Sequence, residues 1–433
     1  MGARPSSPWA FAKTLLHRHR SLASNAAGLY LDTLTSYLFP LLTLPYLVRT
    51  LTPRGYGTIA FAQSLVTSLA TLVDYASNFT ATRRAATLRD EPGALSRLLG
   101  QVLVARTLVC LLALGILGAL CSSVRPVAEA APVVGVLAVL LAAQAWSPAF
   151  LYLGLERMAE LAKLNLVINL AALGAIFALV RSENDTVVLA AILAAGPLTG
   201  SLVGLAWASR RWGVRPVFVS WSEAKSFLRE GWPLFLSSAA MTAYTVANPF
   251  LLGLFASKQA VAFYAGAEKI VRALLRALSP LTQALFPRMV RVAQEGVAAL
   301  YRKAGQVLVA FCAVGALAGL LLASTATWIV RLLLGPQFAP SAAVLRVLSL
   351  MLPLVAASNV LGVQVLLPLR RDQAFTAIVV AASGINVALA VALAPSLGER
   401  GMAAAVVASE LFVTVAMLAA VARARPTPGD KAW

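Results

Sequence analysis

The sequence predicts an all-α integral membrane protein with about twelve transmembrane helices, arranged as two parallel six-helix lobes around a central cavity. Three observations lead there. Of 433 residues, 60% are hydrophobic and 12% charged, and the mean hydropathy of +0.81 exceeds what a water-soluble domain can bury. The apolar residues fall into runs of about the 20 residues that cross a bilayer as a helix. The basic residues, finally, change sides in step with those runs.

In order along the chain, residues 1–21 form a basic leader with Arg4, Lys13, Arg18 and Arg20, where Trp9 suits the membrane interface. Apolar spans are expected at 24–48, 56–77, 99–120, 132–154, 162–180 and 186–208. The first is far longer than the apolar region of a cleavable signal peptide. A polar linker, 209–231, divides the N-terminal lobe (22–208) from the C-terminal lobe (232–422). In the latter, spans are expected at 232–256, 259–287, 305–330, 342–368, 373–395 and 401–422, followed by a tail, 423–433.

With the leader inside, the inside segments carry 24 of the 36 Lys and Arg residues, the outside loops 7, and the spans 5. That bias puts both termini in the cytoplasm. It also accounts for the net charge of +19 as loop charge, leaving no basic face for nucleic acid. The lobes echo one another: Pro45-Tyr46-Leu47-Val48 closes the first span and Pro249-Phe250-Leu251-Leu252 the seventh. Six spans per lobe return each lobe to the same side, so the repeats run parallel.

Charges within the spans carry the functional signal. Between Phe263 and Met289, the residues Glu268, Arg272, Arg276, Ser279 and Gln283 fall within about 80° of arc on one helix, with Lys269 beside them. Arg276 lies roughly 16 Å along the axis from Pro287, and Lys269 about 15 Å from Gln259, too deep for comfortable snorkelling. Charges at that depth face a water-filled cavity or a partner. Glu268 can pair with Arg272 at i,i+4, which leaves Lys269 and Arg276 without a partner on their own helix. Guanidinium groups suit phosphate because their planar fork donates paired hydrogen bonds. Lys269, Arg272 and Arg276 are therefore the candidate anion site, and Pro280, which removes a helical hydrogen bond, is the candidate hinge.

Other polar residues in the spans admit two readings. Asn25, Ser36, Thr43, Gln63, Thr67, Thr71 and Asn78 fit ordinary hydrogen bonds between helices. Asp32 is costly mid-span without a proton, a cation or an arginine beside it, and is a candidate for the cavity or for ion coupling. Asp74 fits a helix cap, a pairing with Arg83 or Arg84, or the cavity. Arg106 lies where it can snorkel to the cytoplasmic side. Arg346 fits either the cavity or snorkelling at the outer end. Glu410 is deep in the last span, with no partner on its own helix, and suits neutralising a cavity cation or carrying a proton. The two histidines, His17 and His19, sit in the leader, and Cys110, Cys121 and Cys312 lack metal spacing, so no metal site is expected.

Several stretches resemble the Wzx-type flippases of bacterial polysaccharide biosynthesis, relatives of the multidrug and toxic-compound exporters and the lipid II flippases. They are Pro40–Arg49, Gly55-Tyr56-Gly57 with Phe61, Val73-Asp74-Tyr75, Asn78–Arg84, Tyr264–Ile270 and Leu278–Arg288. Ala76 stands where that family has a glycine, Thr52 replaces the glycine before Pro53, and Asp32 replaces an uncharged polar residue.

The resemblance implies a V-shaped pair of lobes in the bacterial inner membrane. Its cargo would be an undecaprenyl-pyrophosphate-linked oligosaccharide, translocated by alternating access under an ion or proton gradient. Membrane lipids and the polysaccharide polymerase machinery would be its neighbours. No cofactor and no enzymatic step are expected, and the sequence holds no Gly-rich phosphate loop for ATP. A multidrug exporter for cationic compounds would line its cavity with carboxylates, and lipid II flippases carry fourteen helices rather than twelve. A membrane-embedded polymerase, ligase or acyltransferase would need a catalytic set that these short outer loops do not offer.

Overall fold

The computed structural model describes residues 39–277 and 279–423. The leader and most of the tail lie outside the described residues, as does Asp32. All regular elements among the described residues are helical. Eight helical stretches there are long and apolar enough to cross a membrane: Pro53–Thr87, Pro92–Ser123, Ala131–Gly154, Met158–Leu179, Thr186–Trp212, Val297–Leu333, Ser341–Leu366 and Asp372–Arg423. The last holds two expected spans, joined at Gly398, whose φ of 56° and ψ of −131° are not helical. The remaining expected spans are residues 39–50 of the first, a helix broken at residues 246–247, and the charged stretch on both sides of residue 278.

The helices are numbered from the first described one. They are α1 (residues 39–50), α2 (Pro53–Asp74), α3 (Ser77–Thr87) and α4 (Pro92–Ser123), then the short α5 (Arg125–Ala128), α6 (Ala131–Leu137), α7 (Val139–Ala145) and α8 (Ala149–Gly154), and the long α9 (Met158–Leu179) and α10 (Thr186–Trp212). In the second half come α11 (Trp221–Thr245), α12 (Asn248–Phe255), α13 (Lys258–Ala277), α14 (Ser279–Glu295) and α15 (Val297–Leu333). They are followed by α16 (Ser341–Leu348), α17 (Met351–Asn359), a π-helical segment (Val360–Leu366) and α18 (Asp372–Arg423).

Local chemistry explains the starts and breaks. Thr52 caps α2 by accepting the Gly55 N–H at 3.3 Å, ahead of Pro53 at the first helical position. The polar stretch expected at 209–231 is helical at both ends, leaving 213–220 between α10 and α11. Ser220 and Glu223 form a capping box that starts α11 eleven residues before the apolar run at 232. The Ser220 backbone N–H, and then Arg97 at 2.6 Å, hold the Glu223 carboxyl below the usual carboxylate range. Between α2 and α3 the chain turns through two left-handed residues, Tyr75 (φ 51°) and Ala76 (φ 52°). Ala76 is the position where the resembling family keeps glycine, the residue that takes this conformation without strain.

The two halves meet most closely where α2 packs on α13. A Cβ on Gly57 would overlap the Lys258 carbonyl, and a Cβ on Gly253 would overlap the Phe61 ring. Around this crossing lie bonds between residues far apart in sequence. The Lys258 ammonium sits over the Phe61 ring, 3.1 Å from its centre, and donates to the Pro126 carbonyl at 3.1 Å. Arg49 donates to the Leu332 carbonyl, and Gln337 to the Val48 carbonyl, both at 2.7 Å. All these loops belong to the end expected to lie outside.

At the opposite end, α11 leans on the first half. Phe235 stacks on Tyr75 with ring centres 4.5 Å apart, and Glu230 lies 3.8 Å from Arg83 and 3.9 Å from Arg84. The main buried core is shared by α2, α13, α15 and α16 with the short helices of the first half, and smaller cores lie within each half.

Candidate functional site

Two buried carboxylate–arginine pairs organise the polar interior, one in each half. In the first half Arg106 is fully buried and pairs with Asp74 at 2.5 Å. This replaces both the snorkelling expected for Arg106 and the pairing of Asp74 with Arg83 or Arg84, which face Glu230 instead. The reason is the break at Tyr75–Ala76. It leaves carbonyl groups without helical partners, and a buried guanidinium satisfies several at once. Arg106 also donates to the Asp74 and Ser147 carbonyls, at 3.3 and 2.8 Å, and to Ser77 Oγ at 3.1 Å. Asp74 further accepts from Gln144 Nε2 at 2.9 Å and Asn78 Nδ2 at 3.2 Å.

In the second half Glu268 is buried and accepts from Arg272 Nη2 at 2.7 Å, Arg272 Nε at 3.0 Å and the Tyr264 hydroxyl at 3.1 Å. Arg272 also donates to the Thr245 carbonyl at the break between α11 and α12. The i,i+4 pairing on α13 read from the sequence is therefore present. Unlike Arg106, the Arg272 side chain keeps 29% of its surface exposed. It lines a pocket of about 240 Å³ with Arg276, Leu275, Thr282, Gln283, Phe311 and Asn359. Among the described residues, two guanidinium groups and no carboxylate line this pocket.

Lys269 is not brought into the pocket. Its ammonium lies 5.2 Å from the ring centre of Tyr56 on α2. Arg346 is exposed and donates to Thr327 Oγ1 at 2.7 Å, away from both arginines. Glu410 is buried and accepts from the Tyr244 hydroxyl and from Ser358 Oγ at 2.7 Å, tying α18 to α11 and α17. Pro280 is the second residue of α14; α13 and α14 flank residue 278, which lies outside the described residues.

Sequence reasoning missed Asn359, Thr282 and Tyr244. Asn359 lines the pocket and ends α17, where seven π-helical residues follow, and such widened turns concentrate at functional sites. Its Oδ1 and the Oε1 of Gln364 are buried without a hydrogen-bond partner among the described residues, while Gln364 Nε2 donates to the Thr282 carbonyl at 2.9 Å. A lone Asn in the apolar run Met351–Leu366 is the signal that could have found it.

A second and larger cavity, about 400 Å³, lies within the first half. Uncharged polar groups line it, among them Thr67, Gln144, Ser147, Asn165, Asn169 and Ser201, beside Leu, Ile, Met and Pro side chains.

The family model described as polysaccharide biosynthesis protein matches residues 22–293, more than half of the chain. A protein of Escherichia coli (strain K12) named "Putative O-antigen transporter" is 27% identical over 403 residues, covering 92% of this chain and 96% of that protein. One of the same name from Shigella dysenteriae is 24% identical, covering 92% and 100%. Among solved structures, an inward-facing multidrug resistance MATE family transporter of the MOP superfamily matches with a TM-score of 0.62 at 16% identity, over 93% of this chain and 96% of that one. The lipid II flippase MurJ matches at 0.55 and 11% identity, over 94% and 87%. At such identities the structural likeness establishes the fold alone, an all-α, multi-pass membrane architecture. The chain belongs to the polysaccharide biosynthesis protein family.

Proposed function

We propose that this protein moves an undecaprenyl-pyrophosphate-linked oligosaccharide from the cytoplasmic to the outer leaflet of the bacterial inner membrane, for cell-surface polysaccharide biosynthesis. The observation that carries the reading is the pocket in which Arg272 and Arg276 converge with Thr282, Gln283 and Asn359, with no carboxylate among the described lining residues. A diphosphate presents several acceptor oxygens and negative charge at that point. Two guanidinium groups answer it with paired donors, and the hydroxyl and amide groups can bind the remaining oxygens. The positive charge of that lining favours an anionic cargo over a cationic drug.

The names of the relatives support a glycan cargo, and the 24-to-7 charge bias supports cytoplasmic termini. In that orientation the Gly57–Lys258 crossing closes the outer end. Transport then requires this crossing to part while the other end closes, the two lobes rocking around α2 and α13. Pro280, next to the pocket, is the hinge of this motion. Glu268 tunes the charge of Arg272. Glu410, whose carboxylate joins three helices, carries the coupling proton or yields to a coupling ion. Lys269, beside Tyr56 of α2, stands outside the headgroup pocket.

The test is export in a strain lacking the native protein. An Arg272→Ala/Arg276→Ala double variant is expected to insert at wild-type levels and to lose surface polysaccharide. Normal polysaccharide from that strain would remove the binding role of the arginines.

A further inference from the structure

The cavity of the first half has no part in the pyrophosphate site, yet it is larger. We infer that it is a subsite for a neutral sugar residue of the transported glycan; this rests on the flippase function proposed above.

Its volume, about 400 Å³, falls in the range of ligand pockets, about 300–1,000 Å³. Among the described residues, the lining carries three amides and three hydroxyls and no charged group. Amides and hydroxyls both donate and accept, as sugar hydroxyls do, so each can meet a ring substituent of either kind. Leu140, Met158, Leu161 and Ile168 supply apolar surface for the C–H faces of a ring.

The site is also held in shape. Asp74 can only accept, so it fixes the Gln144 amide with its nitrogen inward at 2.9 Å and leaves Oε1 to accept from a ligand hydroxyl. Arg106 clamps the break between α7 and α8 through the Ser147 carbonyl at 2.8 Å, and Ser201 ties α10 to the Ala143 carbonyl at 2.7 Å. On α10 the space comes from missing side chains. A Cβ at Gly200 would lie 3.4 Å from Ile168 Cδ1 and 3.5 Å from Asn165 Oδ1, and a Cβ at Gly196 3.3 Å from Ile168 Cγ2.

Its depth matches the arginine pocket. From the Gly57–Lys258 crossing, α2 and α13 run in the same direction. Ala70, in the cavity wall, is thirteen residues and about 20 Å past Gly57; Arg272 is fourteen residues and about 21 Å past Lys258. A headgroup at the arginines therefore places the first sugars at the level of this cavity.

The experiment measures binding to purified protein in nanodiscs, with undecaprenyl pyrophosphate and undecaprenyl-pyrophosphoryl-N-acetylglucosamine as probes. Wild-type protein is expected to bind the sugar-bearing lipid about tenfold more tightly than the bare one. Gly200→Leu, which fills the cavity, and Asn169→Ala, which removes an amide without adding bulk, are expected to erase that margin and leave bare-lipid affinity within twofold. A wild-type protein with no margin, or a margin kept by both variants, would overturn the subsite. Failure of the bare lipid to bind would instead overturn the flippase reading, and the subsite with it.

Discussion

Asp74–Arg106 and Glu268–Arg272 are the same chemical pair in two settings, and the settings assign them different work. Arg106 is sealed, with its donors spent on one carboxylate, one hydroxyl and backbone carbonyls from two breaks in the first half. Arg272 spends its donors on Glu268 and one carbonyl, and nearly a third of its side chain faces a pocket. A guanidinium buried on every side holds helices together; one with an open face can receive a ligand. Charge inside a membrane helix is thus insufficient to mark a site, and the direction of the unsatisfied side decides.

The comparison breaks first at Arg106. Arg106→Ala leaves Asp74 with only the uncharged donors Gln144 and Asn78 and strips the Asp74, Gln144 and Ser147 carbonyls of a donor that is itself fully buried; losing one partner of a buried pair costs about 3–5 kcal/mol. The variant is expected to lose most of its folded yield in detergent, read by size-exclusion chromatography and melting. Arg272→Ala, whose partner Glu268 keeps Tyr264 as donor, should melt within a few degrees of wild type and fail in export instead. Equal destabilisation by both changes would erase the distinction.

The next largest effect lies where the halves meet. In Gly57→Leu the side chain would enter the Lys258 backbone, so α2 and α13 must separate. Spin labels at Arg54 and Gln259 should report a longer distance, and surface polysaccharide should fall. An unchanged distance would show that this crossing is not a gate. The smallest effect belongs to Ala76, two residues from Asp74 and left-handed at φ 52°. Ala76→Gly removes backbone strain of about 1–2 kcal/mol and gives part of it back as unfolded-chain entropy. A net gain of up to about 1 kcal/mol is expected in melting, with export unchanged.

The helices were legible because lipid-facing surface must be apolar over a fixed length, whatever the helix packs against. Hence the expected spans at 99–120 and 305–330 lie inside α4 and α15, and that at 162–180 runs one residue past the end of α9. The breaks were not legible. Tyr75 and Ala76 carry no glycine to announce positive φ, and the π-helical residues 360–366 read as an ordinary apolar run. At the site, Glu268, Arg272 and Arg276 share one helix, so periodicity alone placed them on one face. Partners on other helices were invisible for the opposite reason. Arg106 meets Gln144 and Ser147 only after α7 folds back, and Arg276 meets Asn359 only when α17 packs alongside.

The central claim is that the arginine pocket of the second half receives a lipid diphosphate. Its most direct measurement is the affinity of undecaprenyl pyrophosphate for purified protein in nanodiscs, comparing wild type, Arg276→Ala and Arg346→Ala. Losing charge-assisted bonds of about 1.5–3 kcal/mol should weaken binding by about tenfold to a hundredfold in Arg276→Ala. Arg346→Ala, whose arginine faces Thr327 outside the pocket, should match wild type. Equal affinities in all three proteins would contradict the account.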